Sequence, residues 1–378
     1  MAAEQRRYLS PEMDFGDMYD FVVVGAGPAG ARFARRAAEA GHDVLGFEQG
    51  EVGKPLACSG HVSTDIWAFT PPGAREELLQ NEVFGARFHR GGPDSDAHPF
   101  YKDEVISNVI DRVGLDKTLA TAARDAGADI RERHTALSVT EHRDHVEVTA
   151  RGPDGTDTYR ARMVAGCDGP QSRVRTELGL PEPGELLHGV LGFTEEPDHD
   201  DFVDVHLTVP RFFAWRIPRG DAGVEYGLAT PPGDDVRAEF DAFTDAYDAE
   251  ITRRCSGLIP IGPPKRVTGR RSFLIGDAAA QTKPFTGGGI LYGMTAADHA
   301  AREIDPTDPG TLGDYERAWR DDLRSEIRLG RLVRAGYSVP EPIQEAGMRA
   351  MSGEIGVHMD RPSTLFSAEQ LKALLSRS

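Results

Sequence analysis

The sequence predicts an α/β fold of two lobes: one built on a mostly parallel sheet, one on an antiparallel sheet, with a helical region at the C-terminal end. Three observations predict it. A continuous apolar run, Phe21 to Val24, enters a glycine-rich turn, Gly25-Ala26-Gly27-Pro28-Ala29-Gly30, and a breaker-free alanine- and arginine-rich stretch follows. A second apolar strand far downstream, Ser272 to Ile275, enters Gly276-Asp277-Ala278-Ala279 and then Gly287-Gly288-Gly289. Between about Pro181 and Pro264 the pattern changes to short strands of alternating character, which is how a sheet with one solvated face reads.

Taken in order, Phe21 to Val24 has the composition of a strand buried on both faces of a parallel sheet. Ala31 to Ala40 is the helix that follows, Gly41 stops it, and Asp43 to Phe47 is the next strand, ending at Glu48. This is a βαβ unit, the core of a Rossmann-like lobe. Val109 to Ala126 reads as a helix around Val113, Leu115, Leu119 and Ala122. Gly127 leads into strand-like residues Asp129 to Val139, and a hairpin joins His145 to Ala150 with Thr158 to Ala165 through the turn at 151–157. In the second lobe the expected strands are Asp201 to Val209, Phe212 to Ile217 and Val224 to Thr230, followed by a helix over Asp235 to Arg254. The region from Thr311 is mostly helical, with Tyr315, Trp319, Leu323, Ile327 and Leu332 at roughly helical spacing as a packing face. The expected organisation is a tail over 1–18, a nucleotide lobe from 19–70, 105–180 and 266–310, a substrate lobe from 71–104 and 181–265, and the helical region 311–378.

Composition narrows the function. The 378 residues carry 61 acidic against 43 basic side chains, a formal charge of −18, and only six of the bases are lysines. Such a surface lacks the clustered positive charge that nucleic acid requires. It suits a protein kept soluble in concentrated salt, where self-repulsion is screened, so a halophilic source is expected. Cys58, Cys167 and Cys255 have no metal-ligand spacing and leave an odd thiol, which favours neither zinc nor a disulfide framework and points to a reducing cytoplasm. Met1 to Asp17 is polar, unlike a signal peptide, and no apolar run approaches the ~18 residues of a membrane span. Any membrane contact is therefore expected to be peripheral.

The glycine turns carry the chemistry. Gly25 permits the tight turn, Gly27 lets backbone approach a pyrophosphate, and Gly30 lets the helix pack on the strand, so the helix N-terminus faces the phosphates. Glu48, 18 residues after Gly30, stands where a carboxylate accepts from a ribose 2′-hydroxyl. Asp277, at a second strand end, suits ribityl hydroxyls, or else caps a helix. The backbone N–H groups of Gly288, Gly289 and Ile290 suit the electron-rich end of an isoalloxazine. One turn alone indicates a dinucleotide; the pair indicates FAD.

With Cys167-Asp168-Gly169, Ser172 and Arg175, the segment Lys54-Pro55-Leu56-Ala57-Cys58-Ser59-Gly60, and Pro210 to Pro218 added to the two turns, the sequence resembles the geranylgeranyl reductase family, within the p-hydroxybenzoate-hydroxylase-like flavoproteins. The resemblance covers roughly residues 19–300. It implies adenosine contacts at Ala29 and Glu48, flavin contacts at Ala57, Cys58 and Gly60, further contacts by Arg112 and the backbone of Ala136, and Asp277, Gly289 and Ile290 around the ribityl and isoalloxazine. Arg112 has independent reasons to be there, as a guanidinium pairs with pyrophosphate, though Asp111 and Asp116 are competing partners. Phe213-Ala214-Trp215-Arg216-Ile217-Pro218 resembles the family's aromatic substrate motif with two aromatics replaced; strand geometry puts Phe213, Trp215 and Ile217 on one face, facing either an apolar chain or the sheet core. Cys58 either contacts flavin, acts as a catalytic proton donor, or pairs with Cys255; flavin contact is favoured.

The implied activity is saturation of prenyl double bonds in archaeal digeranylgeranylglycerol phospholipids by hydride from reduced FAD, with a long-chain prenyl lipid as substrate and ferredoxin or NAD(P)H as electron donor. A flavin monooxygenase or halogenase on the same fold, and a flavin-bound lipid carrier, are the alternatives.

Overall fold

The computed structural model describes residues 18–55 and 58–353. Strands Asp129–Arg131, Val44–Phe47, Met18–Val24, Gly155–Gly166 and Ser272–Leu274 lie in that order and all run parallel. The long strand Gly155–Gly166 also carries, along its first half, the antiparallel hairpin of Val146–Gly152 and Thr135–Glu141. This is the expected mostly parallel sheet. Its first strand buries Phe21 to Val24 completely on both faces, which is why those residues read as an unbroken apolar run.

The second large sheet orders Arg253–Ile261, Glu185–Thr194, Val224–Thr230, Ala214–Pro218, Phe202–His206, Gly85–His89 and Ala97–Tyr101. All its neighbours are antiparallel except Phe202–His206 with Gly85–His89. That parallel pair joins segments more than a hundred residues apart, which local alternation does not reveal. A small antiparallel sheet of His61–Ser63, Ser107–Ile110 and Leu79–Val83 joins the two.

Three expectations are corrected. The helix predicted over Asp235 to Arg254 is Val236–Asp245, and Arg253 and Arg254 open a strand; Asp248 takes a left-handed φ of 51° that no helix continues through. Asp129 to Val139 is two strands broken at Arg133, with φ 58°. In the long helix Leu312–Ala335, Tyr315, Trp319, Leu323 and Ile327 are buried as expected, but Leu332 is 66% exposed. The first four repeat every fourth residue and Leu332 comes a fifth residue later, which rotates it off the face.

That long helix fixes the second glycine turn. The Tyr315 hydroxyl donates to the Leu274 carbonyl at 2.7 Å and accepts from Gln281 Nε2 at 3.1 Å, while Gln281 Oε1 accepts from the Gly276 N–H at 2.7 Å. The helices that follow the two turns, Pro28–Glu39 and Ile290–Glu303, are clamped by a bidentate pair, Arg32 to Asp298 at 2.7 and 2.9 Å. Among the described residues, no helix is long and apolar enough to cross a membrane.

Candidate active site

The first turn is made of close backbone approaches. Gly25 has φ +97°, and a Cβ there would lie 2.3 Å from the Cys167 carbonyl oxygen; a Cβ at Gly30 would lie 2.0 Å from the Gly25 carbonyl oxygen. Gly27 differs: a Cβ there meets nothing within 4 Å, because the residue opens onto a cavity. Pro28 occupies the first turn of the following helix, and the Gly27 N-cap has no side-chain cap, so the helix start presents unpartnered donors to that space.

The second turn meets the first directly. Gly276 has φ +67°, and a Cβ there would sit 2.9 Å from the Ala29 Cβ. Asp277 follows, beside Gly289, whose added Cβ would lie 2.5 Å from Asp277 Oδ1. Burial pushes the Asp277 carboxyl up to about 6, against the opposing pull of Arg112. Asp277 lies within the short turn Gly276–Ala279, whose N-cap is Ile275, and the N-cap of the helix that follows is Gly289, so Asp277 stands at neither cap position. Gly289 is the N-cap of the helix Ile290–Glu303, again without a side-chain cap. Gly288, Gly289, Ile290 and Asp277 line the same cavity as Gly27 and Ala29. Two uncapped helix starts, from opposite ends of the sequence, thus face one space.

Arg112 and Cys58 form its inner wall. Asp111 caps the helix that Arg112 begins, and Arg112 pairs with Asp116 one turn on, both nearly sealed from solvent. The Arg112 Nε remains buried without a hydrogen-bond partner. Burial pushes the Cys58 thiol up, while Arg112 beside it pulls the other way. Cys58 and Cys255 are both free thiols. Gly60 does not reach the cavity; its backbone abuts Ile110, where a Cβ would lie 2.3 Å from the carbonyl oxygen. Ala57 lies outside the described residues.

Glu48 is turned to the backbone: Oε2 accepts from the Ala26 N–H at 3.0 Å and Oε1 from the Gly50 N–H at 3.2 Å. It braces the first turn from below rather than lining the cavity. Ala136 is buried at the start of its strand, just beyond His134, whose N–H donates to the Glu48 carbonyl at 2.8 Å.

Opposite the two turns stands the second large sheet. Trp215 lines the cavity together with Val190, Leu191, Leu258 and Ile259. Phe213 stacks on Phe212 at 4.5 Å and meets Tyr337, and Ile217 packs with Val83, Val109 and Val203. Of the three aromatic-motif positions, Trp215 therefore reaches the cavity and the other two support it from either side. The sequence reading missed the contribution of Gly189 to Leu191 and Ser256 to Ile259, which arrive on paired strands, and it missed Lys283 and Glu225. The readable signal for the last was a lone acid inside the apolar run Val224 to Thr230, every residue of which is buried.

These groups fit FAD. The cradle at Gly27 and the two uncapped helix starts supply N–H donors for phosphates and the pyrimidine end of a flavin. The unpartnered Arg112 Nε supplies a buried cationic donor, and Asp277 an acceptor for hydroxyls.

Comparison with known proteins agrees. An FAD binding domain family matches residues 80–253. Digeranylgeranylglycerophospholipid reductase 2 of Methanopyrus kandleri is 31% identical over 81% of this chain and 83% of its own length, and reductase 1 of the same organism is 30% identical over 83% and 89%. Among solved structures, a geranylgeranyl bacteriochlorophyll reductase-like protein of Thermoplasma acidophilum superposes with a TM-score of 0.81 at 22% identity, covering 95% of this chain and 96% of that one. The flavin-dependent halogenase CmlS gives 0.65 at 20% identity, covering 95% and 77%; both likenesses concern the fold. The reductase relatives match more than four-fifths of this chain at 30% identity or above, and this chain belongs to the digeranylgeranylglycerophospholipid reductase family of FAD-dependent oxidoreductases.

Proposed function

We propose that this chain saturates the geranylgeranyl double bonds of digeranylgeranylglycerophospholipids, with FAD held between the two glycine turns and the lipid chain lying against the Trp215 wall. The observation that carries the reading is the single cavity shared by Gly27, Asp277, Gly288 to Ile290 and Trp215. One side of it offers backbone donors and a carboxylate, the other an apolar surface.

FAD, once reduced, supplies a hydride equivalent for one alkene carbon. Around it, Gly27, Ala29 and Arg112 hold the phosphates, Asp277 holds the ribityl chain, and Gly288 to Ile290 support the isoalloxazine. Cys58 shapes the flavin face; its thiol, pushed up by burial, remains protonated at neutral pH. Trp215 with Leu191 and Ile259 positions the prenyl chain and excludes water. An isolated alkene is a weak hydride acceptor, so this positioning carries much of the rate. Segments 71–104 and 181–265 are the substrate lobe in this reading. An electron donor is required, ferredoxin or NAD(P)H, and the lipid is met at the cytoplasmic membrane surface by peripheral contact.

Mass spectrometry of geranylgeranyl lipid incubated with holoenzyme and dithionite is the test, and a gain of two hydrogens per bond is expected. Unchanged lipid, or rapid oxygen-dependent NAD(P)H consumption with an aromatic substrate, would refute the reductase reading. Trp215→Ala should lower lipid turnover about 10–100-fold while FAD content, read from the flavin absorbance, stays at wild-type level. Loss of the yellow colour in that variant would instead make Trp215 part of the cofactor's support.

A further inference from the structure

Glu225 is 1% exposed, on the strand Val224–Thr230 behind the substrate wall. Its Oε1 accepts from the Trp215 indole N–H at 3.0 Å. Its Oε2 is sealed from solvent and has no hydrogen-bond partner. Two residues on, and so on the same face of the strand, Gly227 lies under the same indole: a Cβ there would come within 2.4 Å of two ring carbons. Glu225 and Gly227 together set where Trp215 stands. Space alone would have been met by an apolar residue, and a buried carboxyl with an idle oxygen calls for another reason.

The surroundings supply it. From the segment after Cys58, the Ser59 hydroxyl and Gly60 backbone face the carboxyl; Arg219 faces it from the hairpin turn, and the Cys255 thiol lies within electrostatic reach two strands across the sheet. Burial nevertheless raises the carboxyl above the usual range, outweighing Trp215, Ser59, Arg219 and Gly60. Ser59 lines the cavity, and its Oγ is held by the His61 N–H at 3.1 Å.

We propose that Glu225 is a neutral buried acid that positions Trp215 through Oε1 and supplies, from Oε2 by way of the Ser59 hydroxyl, the proton that completes alkene reduction. The proposal rests on the reductase reading. In the balanced step, one alkene carbon gains the hydride that reduced FAD would supply, which would leave the cofactor oxidised, and the π pair takes the Ser59 hydroxyl proton at the other carbon. Ser59 recovers its proton from Glu225, and the carboxylate left behind is reprotonated by the reverse route, through the Ser59 hydroxyl from the cavity that Ser59 lines. Glu225 acts through Ser59 and is a positioning and proton-supplying residue.

Glu225→Gln keeps an acceptor for the indole and removes the acid. Expected are wild-type FAD content and tryptophan emission, a KM for lipid within about twofold, and a turnover reduced about 100-fold or more, the range of general acid contributions. Glu225→Ala should in addition shift the emission of Trp215 and raise KM. Infrared difference spectra of wild type against Glu225→Gln at neutral pH should show a carboxylic acid carbonyl band. Wild-type turnover in Glu225→Gln, or a carboxylate band in place of the acid band, would overturn the proposal. Failure of the wild type to reduce any geranylgeranyl lipid would instead overturn the reductase reading, and the infrared band would still report whether Glu225 is neutral.

Discussion

Gly25→Ala should yield a protein that melts earlier and binds no FAD, whereas Gly27→Ala should melt like the wild-type apoprotein and lose only the cofactor. The two glycines are two residues apart, yet the structure gives them different duties. At Gly25 φ is +97°, and the new Cβ would lie 2.3 Å from the Cys167 carbonyl oxygen and 2.7 Å from its carbon. Neither atom is free to retreat, because the Cys167 N–H donates to the Val24 carbonyl at 2.7 Å in the parallel ladder. The left-handed conformation alone costs about 1–3 kcal/mol for a non-glycine residue, and the backbone clash adds to it. At Gly27 the φ is −67°, ordinary for any residue, and no atom waits within 4 Å of the Cβ. The methyl would occupy only the space meant for phosphate. Thermal melts of both apoproteins, with flavin content after purification, separate the cases. Equal melting of the two variants would mean that the turn tolerates the Gly25 clash and would remove the distinction drawn here.

That distinction also marks what the sequence can carry. The spacing of Gly25, Gly27 and Gly30 after a buried strand is a local pattern with a local cause, so strand, turn and helix all appear where periodicity places them. The meeting of Ala29 with Gly276 is not local: 247 residues separate them, and only the resemblance of each turn to half of a cofactor site joins them beforehand. Glu48 shows a different limit. Its spacing suggests a ribose contact, and the structure adds that both carboxylate oxygens also accept from nearby backbone N–H groups, a bracing role that spacing does not encode. Glu225 is legible only as a lone acid within the run Val224 to Thr230, and on a strand expected to have one wet face an acid needs no explanation. Both faces are covered, one by the helix Val236–Asp245 and its aromatic cluster around Phe240 and Phe243, the other by the cavity wall. The helix overrun to Arg254 has the same origin: the register of Arg253–Ile261 against Glu185–Thr194 is a tertiary pairing that overrides local helical tendency.

Asp277→Ala should weaken FAD binding about 10–100-fold while making the apoprotein more stable at neutral pH. The first effect is that of removing hydrogen bonds to a charged acceptor, about 1.5–3 kcal/mol. The second follows from the sign of the shift. The folded-state carboxyl titrates at about 6, raised chiefly by burial, whereas the unfolded one loses its proton near about 4. Between those values the folded chain binds the extra proton, so its stability falls as pH rises through that window and stays lower above it. Because the side chain is only partly enclosed, the penalty at pH 7 is on the order of 1–2 kcal/mol rather than the full value of the shift. Alanine removes both the penalty and the pH dependence. Melting of apo wild type and Asp277→Ala at pH 4 and pH 7 should therefore converge at the lower pH and diverge at the higher, with the variant melting later. Holoprotein should rank the other way, since hydroxyl donors on a bound ribityl chain would offset the charge that the empty turn leaves uncompensated. A variant that keeps stoichiometric FAD with wild-type affinity would show that the second turn holds the cofactor by its backbone alone.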